Sequence, residues 1–393
     1  MKKNLMKGLT AKVFSLHSWL GVFAGTFMIV IGLTGSLIVF SDELNELIYR
    51  EQAFIVPEGE PKSFDALLSA LYQQYPDAKV LRLTKSDSPK KAYTAVMQLG
   101  KERLYTYLNP YTGKVTGQIE VHSRLTNWLL RLHFTLLMRP FGDGIVALVG
   151  FCFIGLSLTG LWIQRKSLFS VYTKPIRWKA GTKVASHDFH LLIGSASVLF
   201  CLVMSITGFY MMLYIFDPEW WQRQFVARSS EQKSQPIVLS LSTDSLMNVA
   251  RGLISDFEPK SLILPQNEKA PIRVLGYATS SNPFYNELSS YVNFKQDGTV
   301  LKVQDIRTAS FSEKADMMLR SIHFGQFGGI FVKIIYSLGG FTPAILSVTG
   351  LVLWWKRRRK NISVMQPQPS PKPTALPLKL APVKPAAATR KPS

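Results

Sequence analysis

The sequence predicts an integral membrane α-helical protein. Its expected core is a pseudo-twofold four-helix bundle made of two parallel helix–outer domain–helix repeats, with two small α+β domains outside the bilayer. Three observations lead there. The 393-residue chain holds four apolar runs, at 13–40, 144–163, 191–216 and 331–355, and crossing a bilayer takes about 20 residues. Lys and Arg gather beside the ends of these runs. The runs also repeat one another in spacing and in wording.

The net charge of +21 does not point to nucleic acid, because of where the cations sit. Lys2, Lys3, Lys7 and Lys12 precede the first run. Arg165, Lys166, Lys174, Arg177, Lys179 and Lys183 lie between the second and third, and Lys356, Arg357, Arg358, Arg359 and Lys360 follow the fourth. Short basic segments stay on the cytoplasmic side. Both termini and the loop 164–186 are therefore expected inside, and the long segments 41–126 and 217–316 outside. The chain then divides as follows: an N-terminal cytoplasmic segment with the first span (1–40), the first outer domain (41–126), an outer lead-in with the second span (127–163), and the cytoplasmic loop (164–186). The third span (187–216), the second outer domain (217–316), a second lead-in with the fourth span (317–355) and a tail (356–393) complete it. That tail is basic and rich in Pro, Ala and Lys, a composition expected to stay disordered. The first run is too long for a cleaved signal and continues into "SDELNELI", so it reads as an uncleaved membrane helix. Cys152 and Cys201 both lie in apolar runs, which leaves no disulfide framework and no CxxC metal site.

Each outer segment shows a helical period followed by alternation. In the first, "FDALLSALYQQYP" precedes the strand-like "KVLRLTK", "AYTAVMQL" and "RLYTYLNP". In the second, the helical "LSTDSLMNVARGLI" precedes the hairpin "SYVNFKQDGTVLKVQ", with Asp297-Gly298 in its turn.

The repeat is clearest at histidines and Thr-Gly steps. His17 precedes Thr34 by 17 residues and His190 precedes Thr207 by 17; His133 precedes Thr159 by 26 and His323 precedes Thr349 by 26. Ionisable groups in membrane helices are costly and mostly functional. His17 and His190 lie near the basic, inner end of their runs, while His133 and His323 open the descending runs near the outer face. Two histidine pairs at two depths in a helical bundle is the layout of two b-type haems, each with two axial histidines. No CxxCH is present for covalent attachment. Thr34-Gly35 and Thr207-Gly208 fall roughly 26 Å above the inner histidines at 1.5 Å per residue, level with the outer pair. Thr159-Gly160 and Thr349-Gly350 fall level with the inner pair. Gly35, Gly160, Gly208 and Gly350 are thus expected to let a flat macrocycle approach the backbone. Arg131, Arg139 and Arg320, near the outer histidines, are candidates to pair with haem propionates or an anionic acceptor. His187, three residues before His190 on the same helical face, is an alternative ligand. The repeat favours His190, since Phe14 stands at the position matching His187. His122 also lacks a histidine match, having Ser312 in its place.

The stretches "HSWLGVFAGTFMIVIGLTGSLIVF", "LLRLHFTLL", "LSLTGLWIQRK", "HDFHLLIGSASVL", "SITGFYMML" and "LSVTGLVLWWKRRR" resemble the PepSY-associated transmembrane family, and "YLNPYTGKVTGQ" resembles the end of a PepSY domain. The resemblance covers nearly all of residues 10–360. It implies a bacterial inner membrane location with two periplasmic PepSY-like domains, and bis-histidine ligation of two haem b by His17, His190, His133 and His323. It also implies oxidoreductase activity of the ferric-siderophore reductase type, serving iron acquisition in the periplasm. No glycine-rich dinucleotide fingerprint occurs, so the expected electron donor is a separate cytoplasmic protein or a quinol. Two other readings stand beside this one: a haem-free PepSY regulatory or binding protein, and a cytochrome b that feeds another periplasmic reductase.

Overall fold

The computed structural model describes residues 2–226, 241–285 and 288–365. Four helices are long and apolar enough to cross a membrane: α1 (Lys2–Ile38), α6 (Phe141–Gln164), α7 (Thr182–Met211) and α11 (Gly329–Met365). All four outrun the apolar stretches expected to hold them, α6 only slightly. α1 starts within the basic N-terminal segment, α7 starts at Thr182, and α11 runs through 356–365, where disorder was expected to begin. Lys and Arg are good helix formers, so a basic flank extends a helix rather than ending it. The rest of the expected disordered tail, 366–393, lies outside the described residues.

The helices pack in equivalent pairs: α1 against α6 and α7 against α11 within each half, α1 against α11 and α6 against α7 between halves. Small residues set the closeness. A methyl group at Gly32 of α1 would stand 2.9 Å from the Gly340 carbonyl oxygen of α11, so two backbones meet there as in other small-residue membrane crossings. Leu199, Phe331 and Leu338 on the bundle's outer surface are exposed, as a lipid-facing surface requires.

Between α1 and α6 lie α2 (Ser41–Ile48), α3 (Arg50–Ala53), α4 (Phe64–Gln74), strands β1 (Lys79–Thr84), β2 (Tyr93–Leu99), β3 (Glu102–Leu108) and β4 (Val115–Glu120), and α5 (Leu125–Thr135). Between α7 and α11 lie α8 (Pro218–Val226), α9 (Thr243–Leu253), β5 (Phe257–Ile263), β6 (Ile272–Ala278), β7 (Ser290–Phe294), β8 (Val300–Gln304) and α10 (Phe311–Phe324). The expected strands and helices in these segments are present; β5 and β6 are additional.

Two outer domains were expected, and their strands join in one sheet. All eight strands form one antiparallel sheet in the order β4-β3-β2-β1-β5-β6-β7-β8. The halves meet at β1 and β5, where Leu83 pairs with Leu262 and Thr84 with Ser261, and the hydroxyls of that last pair are 2.8 Å apart. Pairing these strands removes two exposed edges, which otherwise template aggregation. Helices α4 and α9 cover one face, and Leu67, Leu71, Leu83, Leu262, Ile272 and Phe294 share a single core beneath them.

The two covering helices also start head to head. Ser63 and Ser242 are their N-caps, each accepting from a backbone N–H in its own first turn. The Asp244 carboxylate accepts from the Phe64 and Asp65 N–H groups, both at 2.9 Å. Asp65 in turn accepts from the Thr243 N–H at 2.7 Å and the Ser242 hydroxyl at 2.5 Å. Each helix supplies the acid that satisfies the other's unpaired N–H groups and complements its dipole.

Candidate functional site

The fold places the four repeat-related histidines in two facing pairs. At the basic end of the bundle, His17 of α1 and His190 of α7 stand with ring centroids 6.5 Å apart and planes at 89°. At the sheet end, His133 of α5 and His323 of α10 stand 6.4 Å apart at 54°. The long helices α1 and α7 carry the first pair directly. The second pair sits in the last turns of two short helices that descend from the sheet.

Every histidine is seated on a Thr-Gly step of another helix. His17 Nδ1 is 2.9 Å from Thr159 Oγ1, and His190 Nδ1 is 2.8 Å from Thr349 Oγ1. His323 Nδ1 is 2.9 Å from Thr207 Oγ1. His133 Nδ1 lies 2.9 Å from the Ile31 carbonyl and 3.3 Å from Thr34 Oγ1. The glycine after each threonine faces the Cε1 edge of the same ring. A methyl group would come within 2.8 Å of that carbon at Gly35, 3.0 Å at Gly208, 3.3 Å at Gly160 and 3.5 Å at Gly350. In this structure the four glycines make room for the imidazoles themselves. Sequence reasoning singled out these glycines and passed over the threonines beside them, although all four steps spell Thr-Gly.

With Nδ1 occupied, the far nitrogen Nε2 of each ring has no hydrogen-bond partner among the described residues. The ring spacing suits a shared metal ion. Two metal–imidazole bonds of about 2.0 Å each fit within that spacing. Among the described residues no group of three or more His, Cys, Asp and Glu gathers around a metal position. A donor set of two opposed imidazoles and nothing else fits a metal whose other ligands come from a macrocycle, as in haem.

A cavity of about 480 Å³ opens at the basic-end pair, lined by His17, His190, Gly160, Gly350, Ser157 and Ser347. Its volume is in the range of small-molecule and cofactor sites. Ser157 Oγ is buried there without a hydrogen-bond partner among the described residues. Arg177, Lys183 and Arg357 also line the cavity, and Arg177 is held by the carboxylate of Asp188 at 2.7 Å. His187 lines it too, 3.4 Å from the same carboxylate, whereas His190 is the one that faces His17.

The arginines expected near the sheet-end pair have partners already. Arg320 makes two bonds to Asp316, at 3.0 and 3.1 Å, and Asp316 also accepts from the Tyr210 hydroxyl at 2.9 Å. Arg139 lies 3.3 Å from the fully buried Asp143, which takes a 2.7 Å bond from Tyr214. Arg131 is 3.5 Å from His122 Nδ1, and His122 is exposed.

Compared with known proteins, the chain matches the family described as the PepSY-associated TM region over residues 14–357. Comparison with curated proteins gives no match. With four apolar helices, a sheet domain between them and a family match over most of its length, the chain is a membrane protein of the PepSY-associated TM family.

Proposed function

We propose that the protein is a di-haem b electron carrier of a bacterial inner membrane. In this reading one haem lies between His17 and His190 and the other between His133 and His323. Electrons enter at the basic, cytoplasmic end and leave at the sheet, periplasmic end, where a ferric siderophore takes one electron per iron(III). Iron(II) binds such chelators weakly, so this reduction releases it for uptake. The observation that carries the reading is the twice-repeated geometry: facing imidazoles at 6.5 and 6.4 Å, whose far nitrogens have no hydrogen-bond partner among the described residues. The pseudo-twofold repeat explains why it occurs twice.

When bound, each haem supplies a one-electron iron couple. The chain's residues do the rest. His17 with His190, and His133 with His323, would hold the two haems by their imidazole nitrogens. The Thr-Gly steps fix the height and tilt of each ring. At the basic end, Lys183 and Arg357 line the cavity and would pair with haem propionates. At the sheet end, Arg131 keeps no carboxylate partner among the described residues and is the better candidate for an anionic acceptor than Arg139 or Arg320. The cationic segments 164–186 and 356–360 set the orientation by the positive-inside rule. The donor is a separate protein or a quinol.

Purified from haem-replete cells, the protein is expected to show Soret and α bands with two haems per chain. Mixed anaerobically with ferric siderophore, the dithionite-reduced protein is expected to reoxidise with iron(II) appearing in step. Absence of the bands ends the haem reading, and haems that stay reduced end the siderophore assignment.

A further inference from the structure

The threonines of the four Thr-Gly steps have a constraint that the histidines do not. A hydroxyl carries one proton and two lone pairs. Thr159 Oγ1 sits 2.6 Å from the Gly155 carbonyl, Thr349 Oγ1 2.9 Å from Ile345, Thr207 Oγ1 2.8 Å from Val203 and Thr34 Oγ1 2.7 Å from Val30. A carbonyl only accepts, so wherever this back-bond forms the hydroxyl proton goes to its own helix. Toward the imidazole the same oxygen has only lone pairs to offer. A ring nitrogen at hydrogen-bond distance must then be the donor.

We infer that Thr34, Thr159, Thr207 and Thr349 are positioning residues that hold the four histidines in the Nδ1–H tautomer, leaving Nε2 as the nitrogen that donates to metal. At His133 the Ile31 carbonyl, 2.9 Å from Nδ1, enforces the same tautomer independently. Back-bonding to the carbonyl four residues earlier is ordinary for threonine in a helix. It accounts for where the proton goes. It does not account for a ring nitrogen of a different helix on the lone pair at all four positions. An isosteric valine fills the same space without the acceptor, so the role is separable from packing.

The inference rests on the haem reading only in what Nε2 binds. A hydrogen bond from Nδ1–H raises the basicity of a metal-bound imidazole and so favours iron(III). The fixed tautomer also spares each site the loss of binding that would follow if Nε2 were protonated part of the time.

The test pairs Thr349→Val with Thr349→Ser in lipid nanodiscs. In haem-free chain labelled with nitrogen-15 at histidine, the spectrum of the wild type is expected to show His190 as Nδ1–H. Thr349→Ser should keep it so, and Thr349→Val should give a mixture with Nε2–H. In haem-loaded chain, one of the two midpoint potentials should rise in the valine variant alone. A shift corresponding to a tenfold change in equilibrium constant is about 59 mV for one electron, and a rise up to that size is expected. Nε2–H in the wild type overturns the inference, as does an equal response to valine and serine. If the chain takes up no haem, the function proposed above fails while the nitrogen spectrum still decides the tautomer.

Discussion

The two histidine pairs have nearly the same spacing but are held by different means. The basic-end pair belongs to the bundle: His17 and His190 are interior positions of helices 37 and 30 residues long. The sheet-end pair belongs to the sheet. His133 lies near the end of an 11-residue helix that follows β4, and His323 near the end of a 14-residue helix that follows β8. Those two helices stop in left-handed turns, at Leu136 with φ 49° and at Gly325 with φ 67°. The electrostatics differ as well. At the basic end Lys183 and Arg357 line an open cavity, whereas at the sheet end Arg139 and Arg320 are spent on carboxylates. A pair built into long packed helices tolerates local insult. A pair suspended from strands depends on the sheet above it.

Removing a ligand should give the largest effect. His17→Ala and His133→Ala are each expected to lower haem content from two per chain to one, with the surviving potential differing between the two variants. Pyridine haemochrome assay and redox titration check this, and identical survivors would erase the distinction between the pairs.

The glycines give the next largest contrast. Real Cβ atoms essentially never approach a neighbour within 3.0 Å, and an alanine at Gly35 would reach 2.8 Å from His133 Cε1, against 3.5 Å from His190 at Gly350. Gly35→Ala should therefore displace His133 and cost the sheet-end haem. Gly350→Ala should leave haem content unchanged and shift the basic-end spectrum slightly. Equal loss in both would mean that the clearances do not control the sites.

The juxtapositions behind these contrasts were partly legible in the sequence. The 17-residue interval from His17 to Thr34 and from His190 to Thr207 lies within one helix in each half, so constant rise sets the height of those Thr-Gly steps above the basic-end histidines, whereas the 26-residue interval crosses the break between α5 and α6 and between α10 and α11 and fixes no height. Which atom of the step faces the ring is a matter of helix rotation, and spacing alone does not give it. The glycines were therefore expected against a macrocycle and are found against imidazole carbons. The joined sheet was illegible for another reason. β1 and β5 are separated by more than 170 residues, and their pairing spans only Arg82 to Thr84, too short to leave a mark in composition. β5 itself contains Pro259 and a register shift beside it, which broke the alternation that reveals a strand.

The seam between the halves offers a smaller perturbation. Asp244→Ala removes the acceptor of two α4 N–H groups, and loss of such a cap costs about 0.5–2 kcal/mol. A thermal melt should show that loss in the sheet. At temperatures just below the melt, the α band should fall for the sheet-end haem before the basic-end one. Simultaneous loss of both would show that the bundle also leans on the sheet.

The smallest expected effect is an acid sensitivity at the sheet end. Arg307 lies between β8 and α10, in the segment that delivers His323. Its guanidinium bonds Asp256 at 2.6 Å, Ser280 at 2.7 Å and Asp305 at 2.7 Å. The Ser280 backbone N–H, the Thr279 hydroxyl and then Arg307 hold the Asp256 carboxyl well below its ordinary value of 3.8. Because the folded value is depressed, the stabilisation is complete above pH 3.8 and is lost as pH falls from there through the folded value. As pH falls below about 4 the segment before α10 should loosen, and the sheet-end haem should be lost. Asp256→Asn removes the titrating group, so it should flatten that pH dependence and weaken the sheet at neutral pH. Asp256 is exposed to solvent, so salt should shrink the effect as well. Acid loss of the sheet-end haem that persists unchanged in Asp256→Asn would place the acid-sensitive group elsewhere.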